Sequence, residues 1–339
     1  MDGLRGVMAI GVVLGHCFQM ARQPIAVGSW MAVDIFFLMS GFVIAHVYVG
    51  KIGQGYTFSK FAAARLRRLY PMYAIGFGLG IVDLWCEGVF QKLPDTVVAI
   101  SIFLGGIISP YFNSFNWAVS GGSPHRGVVF PINDPAWSLF WELVVNVIFF
   151  VCAATKLKDY RRIVLVGALV WYLISSFRLG FHTGWSTGNF WGALPRVTVM
   201  FFAGWVIHDL HGRFPIVRLR SFMALLVLTL ICFLFYGRPV QMFVLLGLGP
   251  AIVLVASRVS PAQVPPRMRE WMHLTGLLSY PLYIIHFPIS RMTWFYLGSH
   301  VPSYVFVFIA AGLSCMVACL AISMQERLFT KPALASLNN

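Results

Sequence analysis

The feature that most limits this chain is an alternation of long apolar runs with short basic clusters along its 339 residues. Runs long enough to cross a ~30 Å hydrocarbon core stand at 4–22, 30–50, 69–91, 135–155, 162–180, 190–208, 221–237, 239–257, 273–297 and 302–324. An eleventh run, 96–112, is shorter and is broken by Gly105, Gly106 and Pro110. Basic clusters at 51–68, 156–162, 213–220 and 258–269 belong on the cytoplasmic side by the positive-inside rule. Only an even number of crossings separates two cytoplasmic loops, yet three apolar runs lie between 68 and 156. One of them does not span, and 96–112 is the weakest. Removing it predicts an all-α, polytopic transmembrane helical bundle of about ten spanning helices with both termini cytoplasmic. Residues 1–330 then make a single membrane domain and 331–339 a short C-terminal tail. Residues 92–134, rich in Gly, Pro, Ser and Asn, make an outer loop that re-enters the bilayer or lies on its face.

Composition excludes the soluble alternatives. A soluble domain carries about 25% charged residues; this chain has 11%, against 59% hydrophobic, too little polar surface to cover itself in water. The net charge of +14 is assigned to loops held against anionic lipid rather than to nucleic acid. Cys17, Cys86, Cys152, Cys232, Cys315 and Cys319 lie in or beside apolar runs without a CxxC pair, which argues against a disulfide framework or a metal site. Asp2 precedes Arg5 and no small-residue cleavage site follows, so 4–22 is expected to stay as a helix. No internal repeat of the transporter kind is visible.

Ionisable groups inside a membrane are costly and point to function. In the first helix Asp2, Arg5 and His16 share a face, because eleven residues at 100° bring His16 within about 20° of Arg5. His16 lies ~16 Å beyond Arg5, at or past the midplane. Asp34 and Ser40 enter from the outer surface on the second helix. Glu142 lies ~10 Å inside the outer end of its helix, Arg196 at similar depth, and His286 ~20 Å in from the cytoplasmic end of 273–297. Five groups from five helices thus converge on the middle and outer half of the bilayer. At the cytoplasmic mouth of the third helix, Arg65 and Arg68 stand one turn apart with Arg67 between them. The chain has no GxGxxG and no P-loop, so this pair is read as a clamp for a phosphorylated donor. Asp83 and Glu87 are expected to be a solvated or snorkelling pair. His46, His208 and His211 fall at cytoplasmic helix ends, and His125, His182 and His300 in loops. No HExxH is present.

Six segments, in order, resemble the acyltransferase-3 family of bacterial integral-membrane O-acyltransferases. They are Met1-Asp2-Gly3-Leu4-Arg5-Gly6 leading to His16; Asp34 to Phe42; Arg65 to Pro71; Trp137-Ser138-Leu139-Phe140-Trp141-Glu142; Ser279-Tyr280-Pro281-Leu282-Tyr283-Ile284-Ile285-His286; and the ending that begins at Glu326. In that ending Leu328, Phe329 and Thr330 intervene before Lys331-Pro332. The resemblance implies a stand-alone enzyme of the bacterial plasma (inner) membrane that moves an acyl group, acetyl being the commonest, from acyl-CoA to a hydroxyl. No permanently bound cofactor is expected, since acyl-CoA is a co-substrate. Acceptors in the family include exopolysaccharide, O-antigen, peptidoglycan precursors and macrolides, so the partners implied are a carbohydrate or lipid-linked glycan, membrane lipid and other polysaccharide-biosynthesis proteins. Placed on these residues, His16 is the general base, Asp34 or Glu142 orients it, and Arg65 and Arg68, supported by Arg67, hold the CoA phosphates. Arg196 neutralises an oxyanion, Ser40 with Gly41 permits close helix packing, Arg5 and Asp2 give support, and Tyr283 with His286 forms a second polar site. The rival reading is a proton-coupled secondary transporter of a glycan precursor or acyl carrier, with His16, Asp34 and Glu142 as its relay.

Overall fold

The computed structural model describes residues 1–25, 28–112, 127–235 and 237–335, with the side chains of 156, 158 and 326–335 excepted. His125, the Glu326 side chain and the end of the expected tail lie outside the described residues. Eleven helices are found among the described residues: α1 (Asp2–Met20), α2 (Met31–Gly53), α3 (Phe58–Cys86), α4 (Asp95–Gly106), α5 (Ala136–Ala154), α6 (Arg161–Leu179), α7 (Ala193–Leu210), α8 (Leu219–Cys232), α9 (Arg238–Arg258), α10 (Pro266–Leu297) and α11 (Ser303–Ala335). Eight of them are long and apolar enough to cross a membrane. The 32-residue α10 is long enough but carries more polar side chains, and the 14-residue α8 is short. The chain is an all-α multi-pass membrane protein.

The basic clusters gather at one end. There Arg161 pairs with Asp209, the Leu219 amide donates to Gln263 Oε1, and Val217 bridges to Val259. At the opposite end Gln23 meets Ser303, the Gly28 amide donates to the Phe233 carbonyl, and the Val129 amide donates to the Trp185 carbonyl. The basic segments 156–162, 213–220 and 258–269 thus share one end of the bundle.

The twelve-residue α4 is the run that parity removed. It folds back along α3, where Tyr70 and Tyr73 donate through their hydroxyls to the carbonyls of Gly106 and Gly105 at 2.9 and 2.5 Å. Tyr73 lies ~20 Å below the far end of α3, so α4 re-enters roughly half the bundle and stops.

Two close crossings set the site. A Cβ on Gly41 of α2 would fall 1.9 Å from the Phe201 carbonyl, and one on Gly204 of α7 would fall 2.0 Å from the Leu38 carbonyl. Only glycine allows backbones to approach this closely, and the contact docks α2 on α7. In α10, Pro288 has no N–H to give to the Ile284 carbonyl four residues earlier. Asn133 supplies the missing donor, its Nδ2 lying 3.0 Å from that oxygen. This bond ties the entry to α5 against the middle of α10.

Candidate active site

The sequence expectation of one convergent cluster resolves into three separate groups. The first lines a cavity of about 110 Å³ that opens near the basic end. Arg5 of α1, Arg65 and Arg68 of α3, Ser40 of α2, Glu142 of α5 and Tyr280 of α10 all face it. Glu142 Oε1 accepts from Arg65 Nη2 at 2.7 Å and from Ser40 Oγ at 3.0 Å. Arg65 is thus buried and neutralised, while Arg5 and Arg68 have no carboxylate within salt-bridge distance among the described residues. Three guanidinium groups against one carboxylate leave the cavity with an excess positive charge, which suits phosphate oxygens. Arg5 joins the pair read from the sequence. Arg67 is exposed and does not line the cavity.

The far end of this cavity is closed by Phe36, Ser138 and Tyr283. The Ser138 and Tyr283 hydroxyls are 2.8 Å apart, and the Phe36 ring meets the Tyr283 ring edge-on at 5.9 Å. The Tyr283 ring centroid is 6.1 Å from that of His286.

His286 belongs to the second group. Its Nδ1 lies 2.7 Å from the Tyr283 carbonyl and 3.2 Å from that of Leu282. Carbonyls only accept, so in the neutral ring Nδ1 carries the proton and Nε2 is the acceptor. Across the helix interface His16 Nδ1 is 2.8 Å from His286 Nε2. His16 Nδ1 must therefore be the donor, which leaves the lone pair of His16 on Nε2. Of Tyr283 and His286, read from the sequence as a second polar site, His286 is the partner of His16, and Tyr283 holds His286 through its carbonyl. The i, i+3 spacing of Tyr283 and His286 was the available signal, but helix rotation relative to α1 was not.

Asp34 and Arg196 form the third group. Arg196 Nε and Nη2 each lie 2.7 Å from one oxygen of Asp34, and Nη1 donates to the Thr183 carbonyl at 2.6 Å. Both side chains are 0% exposed, and the guanidinium lies over the rings of Trp30 and Trp137 at 5.1 and 5.4 Å. This overturns two expectations. Asp34 does not orient His16, because a fully buried carboxylate has both oxygens taken by the arginine fork. Arg196 does not face the cavity and is no candidate for holding an oxyanion. Nor does Glu142 orient His16, being held by Arg65 and Ser40. Asp2 is half-exposed beside His273 at 3.8 Å, and its backbone packs against Gly276 of α10. That contact fits the support assigned to it.

Sequence reading missed three features. Arg291 lies between Asp83 and Glu87, at 3.2 and 3.0 Å. Asp83 is fully buried rather than solvated. Asp134, just before α5, has a carboxyl that burial pushes up to about 7 while Arg291 pulls it down. His182 stacks on Trp30 at 4.5 Å and 9°. Burial, then Arg196, then nearby His16 hold its imidazole well below the ordinary range. No group of His, Cys, Asp and Glu among the described residues is arranged to hold a metal ion.

Comparison with known proteins bears on the whole chain. A family profile described as an acyltransferase domain matches residues 1–324. Protein 2 in the picA locus of Rhizobium radiobacter is 33% identical over 163 residues, covering 44% of this chain and 78% of that protein. The exopolysaccharide production protein ExoZ of Rhizobium meliloti (strain 1021) is 25% identical over 323 residues, 93% of each chain. SACOL0978 of Staphylococcus aureus (strain COL), provisionally named an O-acetyltransferase, is 23% identical over the whole of this chain and 58% of its own length. No solved structure matches. With its bundle, its arginine-lined cavity and a family match over nearly its full length, the chain belongs to the acyltransferase-3 family of membrane acyltransferases.

Proposed function

We propose that the protein transfers an acetyl group from acetyl-CoA to a hydroxyl of a carbohydrate, with His16 as general base. The observation that carries this reading is the directed pair His16–His286 at 2.8 Å, which leaves one imidazole nitrogen unbonded among the described residues. By the charge rule the basic end faces the cytoplasm, where acyl-CoA is made. Arg5 and Arg68 hold its phosphates, with Arg65 fixed behind them by Glu142. The pantetheine arm passes up the cavity towards Tyr283. The acceptor oxygen attacks the thioester carbonyl carbon as His16 Nε2 takes its proton. The new C–O bond forms, the C–S bond breaks, and the CoA thiolate leaves with the proton returned by His16 as free thiol. Ser138 donates its O–H to the Pro135 carbonyl and so accepts from Tyr283, whose O–H turns from Ser138 to the developing oxyanion. Similarity to a protein named for exopolysaccharide production supports a polysaccharide acceptor, and the multi-pass fold supports a place in the bacterial plasma membrane.

The transporter reading asks His16, Asp34 and Glu142 to pass protons to one another. Each is instead bonded to a different partner, His286, Arg196 and Arg65, which favours the enzyme. The deciding experiment incubates membranes carrying wild type or His16→Ala with radiolabelled acetyl-CoA and crude glycan. Release of thiol together with base-labile label on glycan, both absent from the folded mutant, is the expected result. Thioester left intact by wild type across several acyl-CoAs and acceptors would overturn it.

A further inference from the structure

The loop from α6 to α7 is tied down by several hydrogen bonds to its backbone. Asn189 Oδ1 accepts from the amides of Gly184 and Ser186, its Nδ2 donates to the His182 carbonyl, Tyr172 donates to the Phe181 carbonyl, and Arg196 donates to that of Thr183. Against this background the indole N–H groups of Trp30 and Trp185 are buried and without a partner among the described residues. Trp30 is 8% exposed. An indole donor shut away from water normally finds an acceptor. Here two are left over, beside the His182 ring that stacks on Trp30 at 4.5 Å and lies 5.9 Å from Trp185. Asp134, one turn before Ser138, likewise keeps one carboxylate oxygen without a partner.

Charge narrows what such a surface takes. Arg196 is neutralised by Asp34, and Arg291 by Asp83 and Glu87, so neither of these two inward-facing arginines is free to draw a phosphate or carboxylate. What remains is an aromatic face, two N–H donors and a carboxylate acceptor. A pyranose offers the complement: an apolar C–H face and a rim of hydroxyls that donate and accept. The position also fits, because His182, in the loop after α6, and His16, ~16 Å along α1 from Arg5, both lie away from the Arg5, Arg65 and Arg68 end of the cavity.

We propose that Trp185, Trp30 and His182 form the acceptor subsite, which binds a neutral hexose ring of a glycan and presents its hydroxyl to His16. The Trp185 face packs on the sugar, while the Trp30 and Trp185 N–H groups bond its oxygens. The assignment rests on the acyltransferase reading, and its test has a readout independent of transfer. The full chain in detergent is titrated with a free hexose oligosaccharide and with the same oligosaccharide carried on polyprenyl diphosphate, following binding by calorimetry. In parallel, membranes are assayed for the KM of each glycan and of acetyl-CoA. Trp185→Ala is expected to weaken glycan binding about tenfold and raise the glycan KM alike, with the acetyl-CoA KM within about twofold. Trp185→Phe keeps the ring and loses only the N–H, and is expected to cost a smaller factor of about fivefold. Its unchanged melting temperature guards against misfolding. Loss on both ligands assigns the subsite to the sugar itself, and loss on the lipid-linked form alone assigns it to a membrane-borne precursor. Unchanged binding in both variants, or no glycan binding by wild type, overturns the subsite even where transfer is intact. Binding lost in the variants while wild type consumes no thioester keeps the subsite and removes the acyltransferase reading.

Discussion

Two polar pairs cross the bundle, and their contrast separates reactivity from support. Asp34 and Arg196 join α2 to α7; His16 and His286 join α1 to α10. In the first, both carboxylate oxygens and three guanidinium nitrogens are bonded, and neither side chain is exposed. In the second, one bond is directed by the carbonyls behind His286 and His16 Nε2 is left with no partner among the described residues. Burial is common to both. What differs is residual valence: a saturated pair holds a structure, and an unsaturated one accepts a proton.

Breaking the second pair at His16 has the largest expected effect. His16→Ala should lower transfer by about 10²–10⁴-fold, the usual worth of a positioned general base, with the melting temperature nearly unchanged. Asp34→Ala should act the other way, costing about 3–5 kcal/mol of stability by stranding a buried guanidinium, and any loss of activity should track loss of folded protein. The double change Asp34→Leu with Arg196→Met should recover much of that stability in a detergent melting assay. A stable but inactive double variant would show that the ion pair has a direct part in chemistry.

A smaller effect sharpens the comparison. His286→Ala leaves His16 in place but removes the acceptor that fixes its tautomer. Activity should fall by about 10–100-fold, less than at His16, and the pH–rate profile should shift, which a merely structural loss would not do. An unshifted profile with proportionate loss of folded protein would return His286 to packing.

Asp134 lies between the two cases, buried but only partly partnered. Burial raises its carboxyl to about 7, with Arg291 opposing, whereas an unfolded Asp titrates near ~3.9. The folded protein thus keeps a proton that the unfolded chain releases, so the carboxyl lowers stability as pH rises from about 4 to about 7. Asp134→Asn should raise the melting temperature by a few degrees at pH 8 and leave it unchanged at pH 4. An offset independent of pH would remove the titration argument.

The candidate site was legible in part, and the parts differ in kind. The clamp of Arg65 and Arg68 could be read because its residues are neighbours on one helix turn. Arg5 and His16 could be set on one face of α1 because 100° per residue is a property of a single helix, and the cavity with the histidine pair beyond it follows that face. The partners of Asp34, Glu142 and His16 could not be read, since each sits on another helix whose rotation about its own axis is absent from the sequence. Arg291 was missed for the same reason: nothing local connects it to Asp83 and Glu87. Trp30 and His182 were missed because loops have no period to read.

Sequence alone determined that this chain lives in a membrane, that its spans are helices, and how far apart the ionisable groups stand along each helix. These follow from transfer energies and a fixed rise per residue, both of which act along one dimension. Only the tertiary structure decided which groups at equal depth meet. Depth fixes one coordinate, and the other two come from packing, as where Gly41 and Gly204 let α2 and α7 close until Asp34 faces Arg196.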